Sequence, residues 1–274
     1  MAAVRPAFSS STEGPAARIE RLRRTLCTAE TATGLAGEDA APLTLGIPLI
    51  DDALGGGLAG GALHEVAATC EPQIPAASGF VLALAARHTI PRQQDAIWIA
   101  EDLSLAENGL PYGPGLHEVG LAPEKLIMVA AARGRDVLWA MEEALRCRAI
   151  GMVIGELRGC GIDQVATRRL ALAAAAGNTP GFILRTAPSD EPSAAATRWI
   201  IGAAPSSSAL RDERSSAGPP HVYRLAAHLI RNRRGHRGAW IVEWNSVEQR
   251  FELATDSVSV AQPVFDRPHR AAVA

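Results

Sequence analysis

The sequence predicts an α/β fold with a mostly parallel sheet flanked by helices, and three observations lead to this prediction. Short runs made almost entirely of apolar residues recur between residues 63 and 185. Segments with helical spacing of apolar residues separate these runs, as crossover connections between parallel strands require. After residue 185 this alternation ends. Two strand-like runs joined by a glycine-containing bridge follow, and they predict antiparallel C-terminal hairpin strands.

Five strands follow from the apolar runs, because strands covered on both faces are apolar throughout. They are Leu63–Ala68, Ala96–Ala100, Leu126–Val129, Gly151–Gly155 and Gly181–Arg185. Three helices fit the segments between them, namely Gly79–His88, Asp136–Cys147 and Asp163–Ala176. We expect Asp136 and Asp163 to cap their helices, because a carboxylate accepts hydrogen bonds from the unpaired N–H groups there.

The predicted organisation is a single domain over residues 42–255, with disordered tails at 1–15 and 256–274. Residues 16–41 are predicted to be an N-terminal helix and a linker, since Ile19, Leu22 and Leu26 have helical spacing with arginines on the other faces. That helix either packs on the domain or docks on a partner. Thr197–Ala203 predicts a strand, 205–220 a mobile loop and 221–245 a basic hairpin.

The composition argues against several classes of function. The net charge of −2 gives no global attraction to nucleic acid, so a basic role requires a local cluster. The four cysteines are scattered without a C-x-x-C motif, which leaves metal sites and disulfide frameworks unsupported and favours reduced thiols. Neither a signal peptide nor an apolar run of membrane-spanning length is apparent, so we expect a cytoplasmic protein without membrane contact.

The most informative segment is residues 43–87, where a glycine-rich turn, an apolar strand, a loop (Thr69–Ser78) and an apolar helix follow one another. Nucleotide-hydrolysing proteins place G-x-x-x-x-G-K-[ST] in such a loop, with the lysine on the phosphates. This loop holds Pro72 and Pro75 but no lysine, and Lys125 is the single lysine of the chain. We interpret these residues as the remnant of a nucleotide loop: Thr69, Cys70, Glu71, Pro72 and Ser78.

The order and spacing of elements over residues 43–157 resemble the RecA-type ATPase core. The run Ile97–Asp102 is similar to the second strand of that family, which implies that Glu101 stands at the position of the water-activating glutamate. Glu156 stands where the Walker B strand of the family carries an aspartate that holds the Mg²⁺ shell. Octahedral Mg²⁺ tolerates little misplacement of a ligand. We therefore expect both glutamates to be vestigial, or to be strand-end carboxylates with a capping or solvating role.

Three later runs resemble the ImuA family of bacterial RecA-like proteins. They are Ser193–Trp199, Arg231–Gly235 and Trp240–Trp244. The resemblance implies a non-catalytic accessory protein of SOS-induced, error-prone translesion DNA synthesis that needs no cofactor. It also implies three partners: an ImuB-type, Y-family-like protein, RecA, and an error-prone polymerase III α-type subunit.

The basic hairpin is the predicted contact surface. Its candidate residues are Arg231, Asn232, Arg233, Arg234 and Arg237. Three interpretations are open: the residues contact a partner protein, they contact a DNA backbone, or they face solvent alone. If they form a contact, alanine substitutions should leave the melting temperature nearly unchanged. The run Ser193–Arg198 is similar in place to a DNA-lining loop of RecA proteins, and Arg198 is its only cation, so we expect weak DNA binding at most.

Further interpretations remain open from the sequence. Trp199, Trp240 and Trp244 are expected to pack under the sheet, with base stacking as the alternative. An active RecA-type, DNA-dependent ATPase with an atypical loop would need another cation, such as Arg87. A SulA-like inhibitor of cell division is a third interpretation, less favoured because of the five-strand pattern and the long C-terminal hairpin.

Overall fold

The computed structural model describes residues 40–158, 161–205 and 223–254. The predictions for residues 1–15, the helix at 16–30, nearly all of the loop at 205–220 and the tail at 256–274 lie outside these described ranges.

One nine-stranded mixed sheet organises the described residues. Its strands are β1 (Leu63–Ala68), β2 (Asp95–Glu101), β3 (Leu126–Ala131), β4 (Ile150–Leu157), β5 (Gly181–Arg185), β6 (Thr197–Ala203), β7 (Arg224–Asn232), β8 (Gly238–Asn245) and β9 (Arg250–Leu253). Their order across the sheet is β3-β2-β4-β5-β1-β6-β7-β8-β9. The pairings from β3 to β6 are parallel and those from β6 to β9 are antiparallel. The predicted α/β class, the mostly parallel sheet and the antiparallel C-terminal strands are confirmed.

Six α-helices accompany the strands in the described ranges. They are α1 (Pro48–Ala53), α2 (Ile74–Thr89), α3 (Asp102–Asn108), α4 (Gly113–Glu118), α5 (Gly134–Leu145) and α6 (Gln164–Gly177). Asp163 caps α6, because its carboxylate accepts a 2.7 Å hydrogen bond from the Ala166 N–H. The cap predicted at Asp136 is wrong: α5 begins two residues earlier, Arg133 is its N-cap residue, and Asp136 lies in the first turn.

The helices cover both faces of the sheet. Successive residues of β4 alternate between two buried clusters, since strand side chains point to opposite faces in turn. Met152 and Ile154 join the cluster that contains Phe80 of α2. Val153 joins the cluster that contains Met141 of α5 and residues of α6. The resulting α/β/α layering explains why the parallel strands are apolar on both faces.

The turn before β1 requires glycine. Gly55, Gly56 and Gly57 have φ angles of 78°, 105° and 121°, a region in which residues with a Cβ are strained. The chain thereby reverses after α1 and enters the centre of the sheet as β1.

The three C-terminal tryptophans pack inside the fold. The Trp199 ring lies 5.6 Å from Phe80 and 6.2 Å from Trp240, and Trp244 lies 4.9 Å from Phe251, measured between ring centroids. Trp199 is fully buried and Trp244 is 5% exposed. The favoured packing role is confirmed for Trp199 and Trp244, and Trp240 is partly buried against the same core cluster.

Candidate functional site

The predicted nucleotide loop is shorter than the sequence suggested. Strand β1 ends at Ala68 and helix α2 begins at Ile74, and a single 3-10 turn (Glu71–Gln73) fills most of the gap. Pro75 and Ser78 therefore lie within α2, although they were assigned to the loop. Proline has a φ angle that suits the first turn of a helix, which accounts for the early start.

The polar groups of this loop point into the fold. The Thr69 N–H donates to the carbonyl of Ile201 on β6 over 3.0 Å. The side chain of Gln73, the N-cap residue of α2, accepts a 2.7 Å hydrogen bond from the Ala203 N–H. Pro75 in the first turn has no N–H to offer. Thr69, Cys70, Glu71 and Pro72 are exposed, but the segment lacks both the length and the lysine of a phosphate cradle.

The two predicted carboxylates, Glu101 and Glu156, lie at the carboxyl edge of the sheet on adjacent strands, but on opposite faces of it. Strands β2 and β4 are parallel neighbours, with Ala100 opposite Glu156. Glu156 is 8% exposed, and its oxygens accept hydrogen bonds from Trp98 Nε1, at 3.2 Å, and from the Ser104 hydroxyl. Glu101 Oε1 is buried and has no hydrogen-bond partner among the described residues. The partners of Glu156 fit a structural carboxylate better than a metal ligand.

An arginine that sequence reasoning missed lies beside Glu156. Arg158 Nη1 is 2.6 Å from Glu107 of α3 and 3.7 Å from Glu71 of the loop, and its Nε is 3.8 Å from Glu156. These four residues form what we term the Arg158 cluster. Its three carboxylates and one guanidinium already carry a negative balance, so a polyphosphate would be repelled at this edge.

In the part of the chain that the structure describes, neither a metal site nor a free Arg87 replaces the missing lysine. No group of three or more His, Cys, Asp or Glu side chains within the described ranges is arranged to hold a metal ion. Arg87, the cation considered for an atypical ATPase, lies in the last turn of α2, at the opposite end from the loop. Its guanidinium donates to the carbonyls of Thr44 (2.8 Å) and Gln249 (3.1 Å). Arg87 therefore has a structural position.

Arg198 has an internal partner. Its Nε lies 2.7 Å from Glu65 Oε2, and the side chains of Arg198 and Glu65 are 11% and 3% exposed. The same guanidinium donates to the carbonyls of Ser189 and Glu191, and the Ser193 hydroxyl donates to Glu65. Arg198 is thus part of a buried ion pair, and we remove it from the set of contact residues.

The basic hairpin is attached to the domain. Arg231 Nη1 and Arg233 Nη2 donate to the carbonyl of Ser193 over 2.9 and 3.1 Å. Asn232 Nδ2 donates to the carbonyl of Ala53 over 3.0 Å. Arg234 is half-buried and Arg237 is exposed. The interpretation of the whole cluster as a solvated hairpin is wrong, because these hydrogen bonds tie it to α1 and to the segment before β6. Its contact with a partner or DNA stays a prediction.

Two buried histidines have depressed pKa values. Burial lowers the pKa of His64 to about 4, against the opposing effect of its hydrogen bond to Ala59, and the positive charge of Arg234 lowers it slightly further. His64 Nε2 donates to the Ala59 carbonyl, and Nδ1 lies 2.8 Å from Thr197 Oγ1. Burial, assisted by Arg92, likewise lowers the pKa of His88 to about 4. Both imidazoles are therefore neutral at pH 7.

Comparison with known proteins returned no match to a protein-family model or to a curated protein sequence. Across the described ranges, every helix falls short of the length and apolarity needed to cross a membrane. Cys70 and Cys147, the cysteines that fall within those ranges, are unpaired.

Proposed function

We propose that this chain is an ImuA-type protein: a non-catalytic, RecA-like accessory factor of damage-induced, error-prone translesion DNA synthesis. It acts through contacts with an ImuB-type protein, RecA and an error-prone polymerase III α-type subunit. The observation that carries the proposal concerns the loop after β1 and the carboxyl end of strand β4. The loop after β1 has no lysine, and the Glu156 carboxylate is bound by Trp98 and Ser104 and faces Arg158.

The sheet order supports the RecA-like part of the proposal. Strand β5 lies between β1, which precedes the loop, and β4, which ends in Glu156. Strand β2, which ends in Glu101, is the next neighbour of β4. Ligands of open α/β sheets bind beyond the carboxyl ends of the strands, which is where the loop and both glutamates lie. This placement supports a RecA-like origin in which the phosphate-binding lysine is missing.

Two of the runs that carry the ImuA resemblance are in contact. The carbonyl of Ser193, in the first run, accepts hydrogen bonds from Arg231 and Arg233, in the second. The Arg233 N–H also donates to the carbonyl of Ala196 over 3.0 Å. These contacts give a physical reason for the two runs to occur together in one protein. Their joint occurrence supports the assignment of the chain to the ImuA family.

The mechanism we propose is binding without turnover. A RecA-like face that cannot grip a triphosphate can still present the shape of a RecA protomer to proteins that recognise one. DNA contact is expected to be weak, because Arg198 is buried in an ion pair and the hairpin arginines Arg231 and Arg233 donate to backbone carbonyls. Arg237, which is exposed, is the hairpin residue best placed to meet a partner.

Size-exclusion chromatography of the purified protein with RecA and with an ImuB-type protein tests the proposal. We expect co-elution with at least one of them, and failure to co-elute with either would overturn it. Arg237→Glu should weaken the complex at an unchanged melting temperature. Arg168→Glu, at an exposed position on α6, is the matched control and should leave the complex intact.

A further inference from the structure

A large apolar cavity lies away from the Arg158 cluster. Its volume is about 610 Å³, within the range of ligand and anchor pockets. One wall is the first half of α2, including Gly79 and Leu82, and a second wall is α4 with Leu116 and Val119. The remaining wall comes from the ends of the C-terminal strands, including Trp244 and Phe251. An open apolar cavity of this size usually marks an interaction site.

The uncompensated charge at the rim of the cavity is negative. Glu118 and Arg224 are the charged residues that line it, and Arg224 Nε lies 2.5 Å from Glu243 Oε1, so the charge of Arg224 is already balanced. Glu118 lines the cavity and accepts a 2.9 Å hydrogen bond from the Tyr223 hydroxyl. Tyr112 is 75% exposed at the rim, so the apolar surface extends outward from the cavity. The surface therefore fits an apolar segment with a basic margin.

We propose that residues 16–30 of the same chain dock in this cavity. Ile19, Leu22 and Leu26 form one stripe at helical spacing. At about 100° per residue, Arg18 and Arg23 border that stripe on its two sides. The stripe supplies the apolar anchors, and an arginine at its margin can pair with Glu118. The segment thus matches the cavity in polarity, and its margin is opposite in sign to the Glu118 carboxylate.

The chain is long enough to make this contact. The described residues begin at Ala40, which borders a different cavity together with His88, near the end of α2. From His88 back to Pro75, α2 spans about 20 Å at a rise of ~1.5 Å per residue. Residues 31–39 reach about 30 Å when extended. A tethered segment also has a high effective concentration at a site within its reach, which favours contact within one molecule over contact between molecules.

The cavity beside Ala40 is a poor alternative for this segment. Its volume is about 430 Å³, and Arg92 and Arg148 line it without any carboxylate. A basic segment would be repelled there. Charge therefore directs residues 16–30 to the apolar cavity that Glu118 lines.

Photo-crosslinking in the full chain tests the proposal. The variant Leu22→p-benzoylphenylalanine is irradiated at low protein concentration, and the monomer band is mapped by mass spectrometry. We expect adducts with peptides that contain residues 75–83, 111–119 or 244–251. The matched control is Arg24→p-benzoylphenylalanine, because Arg24 lies on the opposite side of the helix, and it should give at least a fivefold lower yield at these peptides.

The bordering charges provide a second measurement. Arg23→Glu in the Leu22-labelled chain should lower the adduct yield several-fold, whereas Arg24→Glu should leave it unchanged. The absence of adducts at the cavity, adducts at another surface, or adducts found only in a dimer band would overturn docking within one molecule. Each result leaves the co-elution test of the proposed function unaffected, since that test does not depend on where residues 16–30 lie.

Discussion

At the scale of single residues, the charged side chains near the strand ends hold the fold together. Glu65 and Arg198 are paired in the interior, and Glu156 accepts hydrogen bonds from Trp98 and Ser104. Removing one member of a buried pair leaves the other charge uncompensated, which costs more than the pair itself contributes. The roles of these residues are therefore measurable as stability.

Arg198→Ala should lower the free energy of unfolding by about 3 kcal/mol, because Glu65 would remain buried without its counter-charge. Adding Glu65→Leu should restore part of that loss, since the double variant buries no unpaired charge. Urea denaturation of the two variants checks this. An unchanged midpoint for Arg198→Ala would show that Arg198 acts at a surface, as the sequence first suggested.

The two buried histidines predict that stability falls on acidification. An unfolded histidine takes up a proton near pH 6.5, whereas His64 and His88 resist protonation until pH falls to about 4. Between these values the unfolded chain binds more protons than the folded chain, so lowering the pH favours unfolding. At pH 5 each histidine should remove about 2 kcal/mol relative to pH 7.5.

Urea denaturation at the two pH values measures this loss. His88→Leu, which cannot titrate, should remove about half of the difference, and the exposed His117→Gln should leave it unchanged. A difference that stays the same in His88→Leu would contradict the assignment of the pH dependence to buried imidazoles.

At the scale of secondary-structure elements, the hairpin of β7 and β8 is part of the domain. Ser193 offers one carbonyl to both Arg231 and Arg233, and Asn232 donates to Ala53 at the end of α1. Alanine at the two arginines would leave this carbonyl without its side-chain donors. Buried acceptors that lose their donors cost about 1–3 kcal/mol.

The double variant Arg231→Ala/Arg233→Ala should therefore lower the melting temperature by several degrees, at about 2–4 °C per kcal/mol. Arg237→Ala, a matched change at the exposed tip, should have no measurable effect. Differential scanning calorimetry distinguishes the two. Equal melting temperatures for the double variant and the wild type would show that these two arginines do not stabilise the domain.

The parallel strands could be predicted because each is a short, mainly apolar run, and β1 and β5 have the predicted bounds. Helix α2 starts five residues before its predicted start, since Pro75, which reads as a loop residue, also suits the first turn of a helix. Strand β9 and the short helices α1, α3 and α4 were not predicted. Their patterns are too short for periodicity to identify them.

The Arg158 cluster was missed for a different reason. Glu71, Glu107 and Glu156 lie far apart in the sequence, and only the sheet order brings them to one guanidinium. The glutamates at the ends of β2 and β4 could be predicted because each directly ends an apolar run. The internal partner of Arg198 could not, since Glu65 reads as an interruption within an apolar strand.

At the scale of the whole molecule, the carboxyl edge of the sheet is the feature on which our proposal depends. The sheet is mostly parallel, and the β1 loop and two strand-end glutamates lie along its carboxyl edge. That edge lacks a lysine, and Arg158 faces Glu71, Glu107 and Glu156 there. A carboxylate is useful as a base only when a phosphate is positioned beside it, so we propose that Glu101 does not act as a catalytic base.

The central claim is that this protein binds partners and does not hydrolyse nucleotides. The most direct test is phosphate release from Mg²⁺·ATP, measured with and without single-stranded DNA, for the wild type and for Glu101→Gln. The account predicts that the two proteins release phosphate at the same background rate under both conditions. Turnover by the wild type that single-stranded DNA stimulates and Glu101→Gln abolishes would contradict it.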